Sequence, residues 1–224
     1  MIQQTTFQFL RDLAAENNRE WFHANRADYE AARQNVLDTG RELLTEINKF
    51  DVIGFHDLRK CLFRIARDTR FTADKSPYKT NFGLAFNDEG TTHSDLPGYY
   101  LHIEPEHSFL SCGIYMPVPD VLKSVRMEID YNFERFKKTI SKKEFKQAFG
   151  SLCRDSDTLV RVPNGFNTDS PAAEYLKLKH FYVMVALPDE HLTSPAFVRE
   201  AARYYRLTAP FKMFLTAAIL LMGR

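Results

Sequence analysis

The stretch that decides the fold is residues 98–114, GYYLHIEPEHSFLSCGI. Apolar and polar residues alternate on both sides of a turn that starts at Pro105, and this period of two is typical of strands with one buried face. The core-facing positions in the pattern are Tyr99, Leu101, Ile103, Leu110, Cys112 and Ile114. The segment therefore predicts an antiparallel hairpin.

The alternation also predicts the register of this hairpin. A symmetric turn of two or four residues places Leu101 opposite Leu110 and Tyr100 opposite Ser111. A turn of odd length without a bulge would set the apolar Leu101 against the polar face of the returning strand. We expect the even register, because it keeps the apolar residues of both strands on one face of the sheet.

Period-two patterns elsewhere predict further strands. They lie at 62–66, 81–86, 180–187 and, as a short strand, 159–162. In the first of these, Phe63 and Ile65 are expected to face the core and Arg64 the opposite side. Residues 87–97 are rich in Gly, Thr, Asp and Ser, and they predict a surface loop.

Apolar residues at helical spacing flank this group of strands on both sides. They mark helices within 7–13 and 29–47, and towards the C-terminus one helix through Leu207 and a separate helix that opens at Thr208. Helices before and after a run of hairpin-like strands favour a single α+β domain spanning 1–224. In this fold a mostly antiparallel central sheet of about four to six strands packs against N-terminal and C-terminal helices.

Composition argues against several classes of protein. The net charge of +1 gives no global field that would attract nucleic acid or an acidic membrane. The longest apolar stretch, 211–222, contains Lys212 and is shorter than the roughly 20 residues of a spanning helix, so we expect no membrane partner. Three widely spaced cysteines and the lack of a signal-peptide pattern favour the cytoplasm. Nothing in the sequence indicates the oligomeric state.

Positive charge is concentrated in residues 59–79. This segment holds seven Lys or Arg and two Asp, a local charge of +5, so the rest of the chain sums to −4. If the strand ends near Ala66, most of these side chains lie on loops beside a rigid sheet, where binding groups are common. The candidate ligand-binding residues are Arg64, Arg67, Arg70, Lys75 and Lys79 for an anion, with Tyr78 and Tyr100 shaping the pocket.

The same segment also fits a structural explanation. Asp68 and Asp74 are interleaved with the basic residues, and such loops often form a salt-bridge network that only pins the loop to the sheet. Exposed ion pairs contribute only about 0–1 kcal/mol each, so stability alone is a weak reason to gather so many charges. Both interpretations stay open at this point.

A second candidate site is the polar face of the hairpin. Tyr100, His102 and Glu104 are two residues apart along one strand, so their side chains leave the same side of the sheet. His102 and Glu104 are the candidate catalytic residues, because a histidine beside a carboxylate suits general acid–base chemistry. Two possible ligands do not make a metal site, and the sequence has no HExxH motif, nucleotide-binding glycine motif or cysteine cluster, so we predict no metal and name no cofactor. The alternative is an ordinary solvated strand face.

Several runs of the sequence resemble a known family. They are Asn18-Arg19-Glu20-Trp21-Phe22, Arg67-Asp68-Thr69-Arg70-Phe71, Asp74-Lys75-Ser76-Pro77-Tyr78-Lys79-Thr80, Gly98-Tyr99-Tyr100-Leu101-His102-Ile103-Glu104-Pro105 and Pro163-Asn164-Gly165-Phe166. In this order they extend over nearly the whole chain and resemble the mostly bacterial and fungal family numbered 2461 among domains of unknown function. The resemblance implies a single domain and no particular reaction.

These observations support one leading hypothesis and two alternatives. In the leading hypothesis the chain binds a phosphorylated or carboxylated small molecule through its basic segment, and His102 and Glu104 transfer protons if it is an enzyme. A nucleic-acid-binding module would use the same basic residues on the phosphate backbone, with Phe71 and Tyr78 as stacking rings. A non-catalytic interaction protein would use these charges only to hold its own loops.

Overall fold

The computed structural model describes residues 1–54, 56–70 and 73–220. The helices of these ranges are α1 (Gln4–Ala15), α2 (Arg19–Ala24), α3 (Arg26–Ile47), α4 (Leu58–Cys61), α5 (Pro119–Tyr131), α6 (Phe133–Ile140), α7 (Lys143–Phe149), α8 (Ala173–Leu176), α9 (Asp189–Thr193) and α10 (Phe197–Leu220). The strands are β1 (Phe82–Phe86), β2 (Gly98–Ile103), β3 (Phe109–Ile114) and β4 (Phe181–Ala186). This element order confirms the predicted α+β class with helices at both ends of the chain.

The four strands form one sheet whose order follows the chain from β1 to β4, and all neighbours are antiparallel. Leu101 pairs with Leu110 and Tyr100 with Ser111, so the predicted even register is confirmed. This register keeps the apolar residues of β2 and β3 on one face, where alternate positions are buried.

Helices α3 and α10 cover the apolar face of the sheet, which we call the inner face. Gly40 lets α3 approach β1 closely, because an added Cβ would lie 2.4 Å from Cδ2 of Leu84. Tyr205 of α10 packs on Tyr99 with ring centroids 4.8 Å apart, and its hydroxyl donates to the carbonyl of Tyr100 at 2.8 Å. On the opposite face, which we call the outer face, the side chains of β2 and β3 stay half-buried.

The predicted strand at 62–66 does not form. Among the described residues its ladder contacts are two isolated bridges, Leu62 with Leu84 and Ala66 with Tyr78. The first bridge places Leu62 on the inner face, so Phe63, which donates its N–H to the carbonyl of Gly83 at 2.9 Å, lies on the outer face. The expectation that Phe63 faces the core is therefore wrong, whereas Ile65 is buried in the core as predicted. The segment is irregular between its two bridges, so strand parity does not hold through it.

Two further predictions differ from the structure. Residues 159–162 form no strand, and because Val160 is 90% exposed, the segment lacks a buried face that would favour one. Helix α10 runs unbroken through Pro210, although a proline inside a helix costs about 3 kcal/mol. Packing explains the continuity, since the helix buries Tyr205 before the proline and Leu215 after it.

The apolar stretch near the C-terminus forms the second half of α10. Phe211, Phe214 and Leu215 are buried there, as expected for a core helix. Lys212 is buried as well, with only 3% of its side chain exposed. Across the part of the chain that the structure describes, no helix has the length and apolarity needed to cross a membrane.

Candidate functional site

The outer face of the sheet carries the second candidate site of the sequence analysis. Tyr100 and His102 of β2 lie on this face beside Phe109 of β3, and Gly83 of β1 pairs with His102. The side chains of Tyr100, His102 and Phe109 are partly buried, and 13% of the His102 side chain is exposed to solvent. The core, in contrast, lies on the inner face.

Tyr100, His102 and Glu104 form a continuous hydrogen-bond chain along the outer face. The Tyr100 hydroxyl lies 3.1 Å from Nδ1 of His102, and Nε2 of His102 lies 3.0 Å from Oε2 of Glu104. The Thr80 hydroxyl donates to the other carboxylate oxygen of Glu104 at 3.0 Å. The structure thus brings together the three polar side chains that the strand pattern placed on one side of the sheet.

Burial sets the protonation states in this chain. It lowers the pKa of His102 below its ordinary value of 6.5, although the hydrogen bond to the Glu104 carboxylate acts in the opposite direction. Burial and the charge of Glu104 raise the pKa of Tyr100 to about 12. At pH 7 the phenol is protonated and the imidazole neutral, so Tyr100 donates to Nδ1 and Nε2–H donates to Glu104. A chain of this kind can relay a proton between the phenol and the carboxylate.

Lys79 lies where the basic segment meets the outer face. Its ammonium nitrogen is 5.5 Å from the centroid of the Phe63 ring. Burial, followed by the charges of Arg64 and Arg67, lowers the pKa of Lys79. The charge of Lys79 in turn contributes to the lowered pKa of His102, so this ammonium lies within electrostatic reach of the imidazole.

Among the described residues, Arg64 and Lys79 form no ion pair. Within the described ranges no carboxylate oxygen lies within 4.0 Å of the charged nitrogens of either residue. Arg67 pairs with Asp74, which also accepts hydrogen bonds from the backbone N–H and the hydroxyl of Ser76. Three positive charges and one directly paired negative charge therefore leave the cluster of Arg64, Arg67 and Lys79 positively charged.

Three other predicted ligand residues make contacts within their own loop or with α2. They are Arg70, whose guanidinium pairs with Asp68 at 2.7 Å, Lys75, whose ammonium donates to the Thr69 carbonyl at 2.8 Å, and Tyr78, whose ring stacks on Phe22 with centroids 4.0 Å apart. This half of the basic segment fits the structural explanation, in which the charges hold the loop.

Two aromatic residues of the outer face, Phe109 and Phe63, were not among the site residues predicted from the sequence. Phe109 stacks on the His102 ring with centroids 4.5 Å apart and an interplanar angle of 10°, and Phe63 meets the Tyr100 ring edge-on at 5.8 Å. Strand parity could have identified Phe109, because it directly precedes an inner-face residue of β3. Phe63 could not be identified in this way, since its direction depends on the bridge between distant parts of the chain.

A second group of polar side chains brings Asp155, Asp157 and His180 together, with one potential metal-ligand atom from each lying within 4.8 Å of the others. Nδ1 of His180 accepts the backbone N–H of Met116 at 2.9 Å, so the proton of the neutral ring is on Nε2. That nitrogen faces Asp157 at 3.4 Å. A metal ion at Nε2 would need the lone pair that this proton occupies, so the group is better explained as an electrostatic contact between the imidazole and Asp157.

A buried ion network on the inner side of the sheet also escaped the sequence analysis. The Lys212 ammonium lies 2.9 Å from Asp88 and 3.1 Å from Asp51, and the Tyr99 hydroxyl donates to Asp51 at 2.6 Å. Burial opposes the charge of Lys212, but the Asp88 and Asp51 carboxylates outweigh it and hold the pKa of Lys212 above its ordinary value. These contacts tie α10 to the segments before β1 and after it, which indicates a structural role.

Comparisons with known proteins identify the family and no function. Neither the curated proteins nor the solved structures contain a match to this chain. The model of one family, described as a conserved hypothetical protein (DUF2461), matches residues 5–214. This match spans nearly the whole sequence and confirms the resemblance seen in the motifs. The chain therefore belongs to the DUF2461 family.

Proposed function

We propose that the protein binds a phosphorylated or carboxylated small molecule at the outer face of the sheet. In this proposal Arg64, Arg67 and Lys79 hold the anionic group, and Tyr100 shapes the site beside them. The observation that supports it most is the environment of Lys79, a half-buried ammonium whose pKa is lowered by two arginines and which has no carboxylate within 4.0 Å among the described residues.

The charged form of Lys79 is unfavourable in this environment when no ligand is bound. Burial penalises the charged form of a lysine, and like charges nearby penalise it further. An anion bound between the three cations would remove both penalties, because it supplies the missing opposite charge and hydrogen-bond acceptors. Arginine offers a planar fork of donors and lysine a mobile point charge, a combination that suits phosphate and carboxylate groups.

The hydrogen-bond chain adds a proton-transfer function to this proposal. Tyr100 can take a proton from a bound ligand while it passes its own proton to Nδ1 of His102, and Glu104 would stabilise the imidazolium that results. Glu104 and Thr80 hold the imidazole orientation, since Oε2 of Glu104 lies 3.0 Å from Nε2 of His102 and Thr80 anchors the other oxygen. Arg70, Lys75 and Tyr78 have no place in the proposed site, because their side chains hold the loop and α2.

The nucleic-acid alternative has less support from the same contacts. Its two stacking rings were Phe71, which lies outside the described residues, and Tyr78, whose ring already stacks on Phe22. Non-specific binding of single strands needs rings that the bases can cover and a basic groove that follows the backbone. We therefore keep this alternative only as an outcome of the experiment below.

A thermal-shift screen tests the proposal. The panel contains nucleotides, sugar phosphates, short carboxylates and short oligonucleotides, with the wild-type protein, Lys79→Met and the control Lys60→Met. Lys60 belongs to the same basic segment and is exposed on α4, so its replacement removes one charge away from the cluster. A ligand at a hundredfold excess over its Kd stabilises the folded state by about 2.7 kcal/mol, which the melting temperature reports clearly.

The three possible outcomes of the screen distinguish the three candidate functions. A shift with small anions that Lys79→Met loses and Lys60→Met keeps supports the proposal. A shift with oligonucleotides alone that falls steeply with added salt favours nucleic-acid binding. No shift across the panel, with Lys79→Met merely less stable than the wild type, favours an interaction protein whose charges only hold its loops.

A further inference from the structure

Three aromatic side chains of the outer face form a cluster apart from the core. Phe63, Tyr100 and Phe109 are all half-buried, and none of them packs into the hydrophobic core of the described chain. Tyr100 lies between the other two, with ring centroids 5.8 Å from Phe63 and 5.8 Å from Phe109. The cluster therefore keeps aromatic surface at the solvent boundary, where burial in the core cannot explain it.

This aromatic cluster and the proposed anion site share the same part of the outer face. Lys79 approaches the Phe63 ring with its ammonium 5.5 Å from the ring centroid. An anionic oxygen bound to that ammonium at about 2.8 Å would lie at most about 8.3 Å from the centroid. A ligand that extends from the anionic group towards the sheet can therefore reach Phe63 or Tyr100 beside it.

Small residues border the Tyr100 ring on both neighbouring strands, while the His93 ring lies edge-on to Phe63 with ring centroids 6.3 Å apart. Gly83 of β1 lies beneath the Tyr100 ring. Tyr100 itself pairs with Ala85 of β1 on one side and with Ser111 of β3 on the other. The His102 ring, stacked on Phe109, adds another flat edge to this surface. A planar ring could lie against these residues without displacing a large side chain.

We infer that the ligand is an aryl anion, in which a planar aromatic ring carries the phosphate or carboxylate group. The cations hold the anionic group and the rings of Phe63, Tyr100 and Phe109 contact the aromatic group, in the offset or edge-on arrangements that such rings prefer. This inference rests on the proposed function, because it specifies the substrate class of the same site. The competing explanation is that the three rings only stabilise the sheet through cross-strand packing.

Isothermal titration calorimetry with matched pairs of ligands tests this inference. The pairs are phenyl phosphate against methyl phosphate and benzoate against acetate, which keep the anionic group and change only its substituent. The proteins are the wild type, Phe63→Leu and the control Tyr131→Leu, since Tyr131 is an 88% exposed tyrosine on α5, outside the proposed site. Phe109→Leu serves as a second variant if Phe63→Leu does not fold, as judged by circular dichroism.

We expect the aryl member of at least one pair to bind about three- to tenfold more tightly to the wild type, as one or two ring contacts would give. The ratio of the aryl to the alkyl affinity should fall towards one in Phe63→Leu and stay unchanged in Tyr131→Leu. Equal binding of both members in both pairs would overturn the inference and leave the proposed anion site standing. An unchanged preference in both Phe63→Leu and Phe109→Leu would also overturn it. Binding of none of the four anions would instead remove the proposed function itself.

Discussion

The phenol oxygen of Tyr100 lies over Gly83 of the neighbouring strand, in the space that a side chain at position 83 would fill. A Cβ built on Gly83 would be 2.3 Å from that oxygen. From this position the phenol reaches Nδ1 of His102, the residue that pairs with Gly83 across the sheet. The absence of a side chain on β1 therefore makes room for the first link of the hydrogen-bond chain.

Gly83→Ala should push the Tyr100 ring aside and break its hydrogen bond to His102. We expect the free energy of unfolding to fall by about 1–3 kcal/mol in urea denaturation, because the added methyl group overpacks the site. The cost should be smaller in a Tyr100→Ala background, where the colliding ring is absent. Equal costs in the two backgrounds would contradict this contact as the reason for the glycine.

His102 should make the stability of the protein depend on pH. Because its pKa is lower in the folded state than the ordinary 6.5, the unfolded state binds more protons between these two values. Stability should therefore fall as the pH drops from 7.5 to 5.5, and His102→Gln should lose less over this range than the wild type. Urea denaturation at both pH values measures the difference, and parallel losses in the two proteins would contradict the neutral state assigned to His102.

Lys212→Met should destabilise the fold strongly. Its removal leaves Asp51, whose side chain is only 13% exposed, without its cation, and breaking a buried ion pair in this way costs about 3–5 kcal/mol. The exposed Asp88 can be hydrated instead and adds little to the loss. Lys146→Met, on the exposed side of α7, is the matched control and should change the free energy of unfolding by about 0.5 kcal/mol or less. Adding Asp51→Asn to Lys212→Met should restore part of the loss, and a loss no larger than in the control would disprove the structural role of the network.

Lys79 should give anion binding a characteristic pH dependence. Its lowered pKa means that the ammonium loses its proton at a lower pH than an ordinary lysine, so affinity should decline early as the pH rises from 7 towards 10. Benzoate is a suitable probe, because a carboxylate does not titrate in this range. Lys79→Arg should bind benzoate with little change over the same range, since a guanidinium stays charged. Identical profiles for the two proteins would rule out Lys79 as the titrating group.

Local alternation predicted the part of the fold that carries the site. The period of two in 98–114 was sufficient to predict the hairpin and its register. Because only one face of the sheet is buried, a slip of one residue would turn the apolar side chains to the wrong face. The directions of the side chains in 62–66 were harder to predict, since they depend on the long-range bridge between Leu62 and Leu84. The continuity of α10 through Pro210 was also beyond local rules, because tertiary packing on both sides of the proline outweighs its cost.

The candidate site was predictable only in part for a similar reason. Charge density identified the basic segment, and strand parity placed His102 beside Glu104. Contacts within the loop decide which basic residues have acidic partners. The sequence alone therefore could not show that Arg70 pairs with Asp68 while Arg64 forms no ion pair among the described residues. The partners of Lys212 come from two distant segments, and spacing along the chain carries no signal for them.

The most direct test of the anion site is an NMR titration of the isotope-labelled protein with phenyl phosphate. The account predicts saturable shifts of the His102 ring nitrogens and of the backbone amides of Arg64, Arg67 and Lys79. These shifts should be lost in Lys79→Met and kept in Lys60→Met. Shifts confined to residues outside this group, or no saturable shift in the wild-type protein, would contradict the claim that the three cations and the hydrogen-bond chain form one binding site.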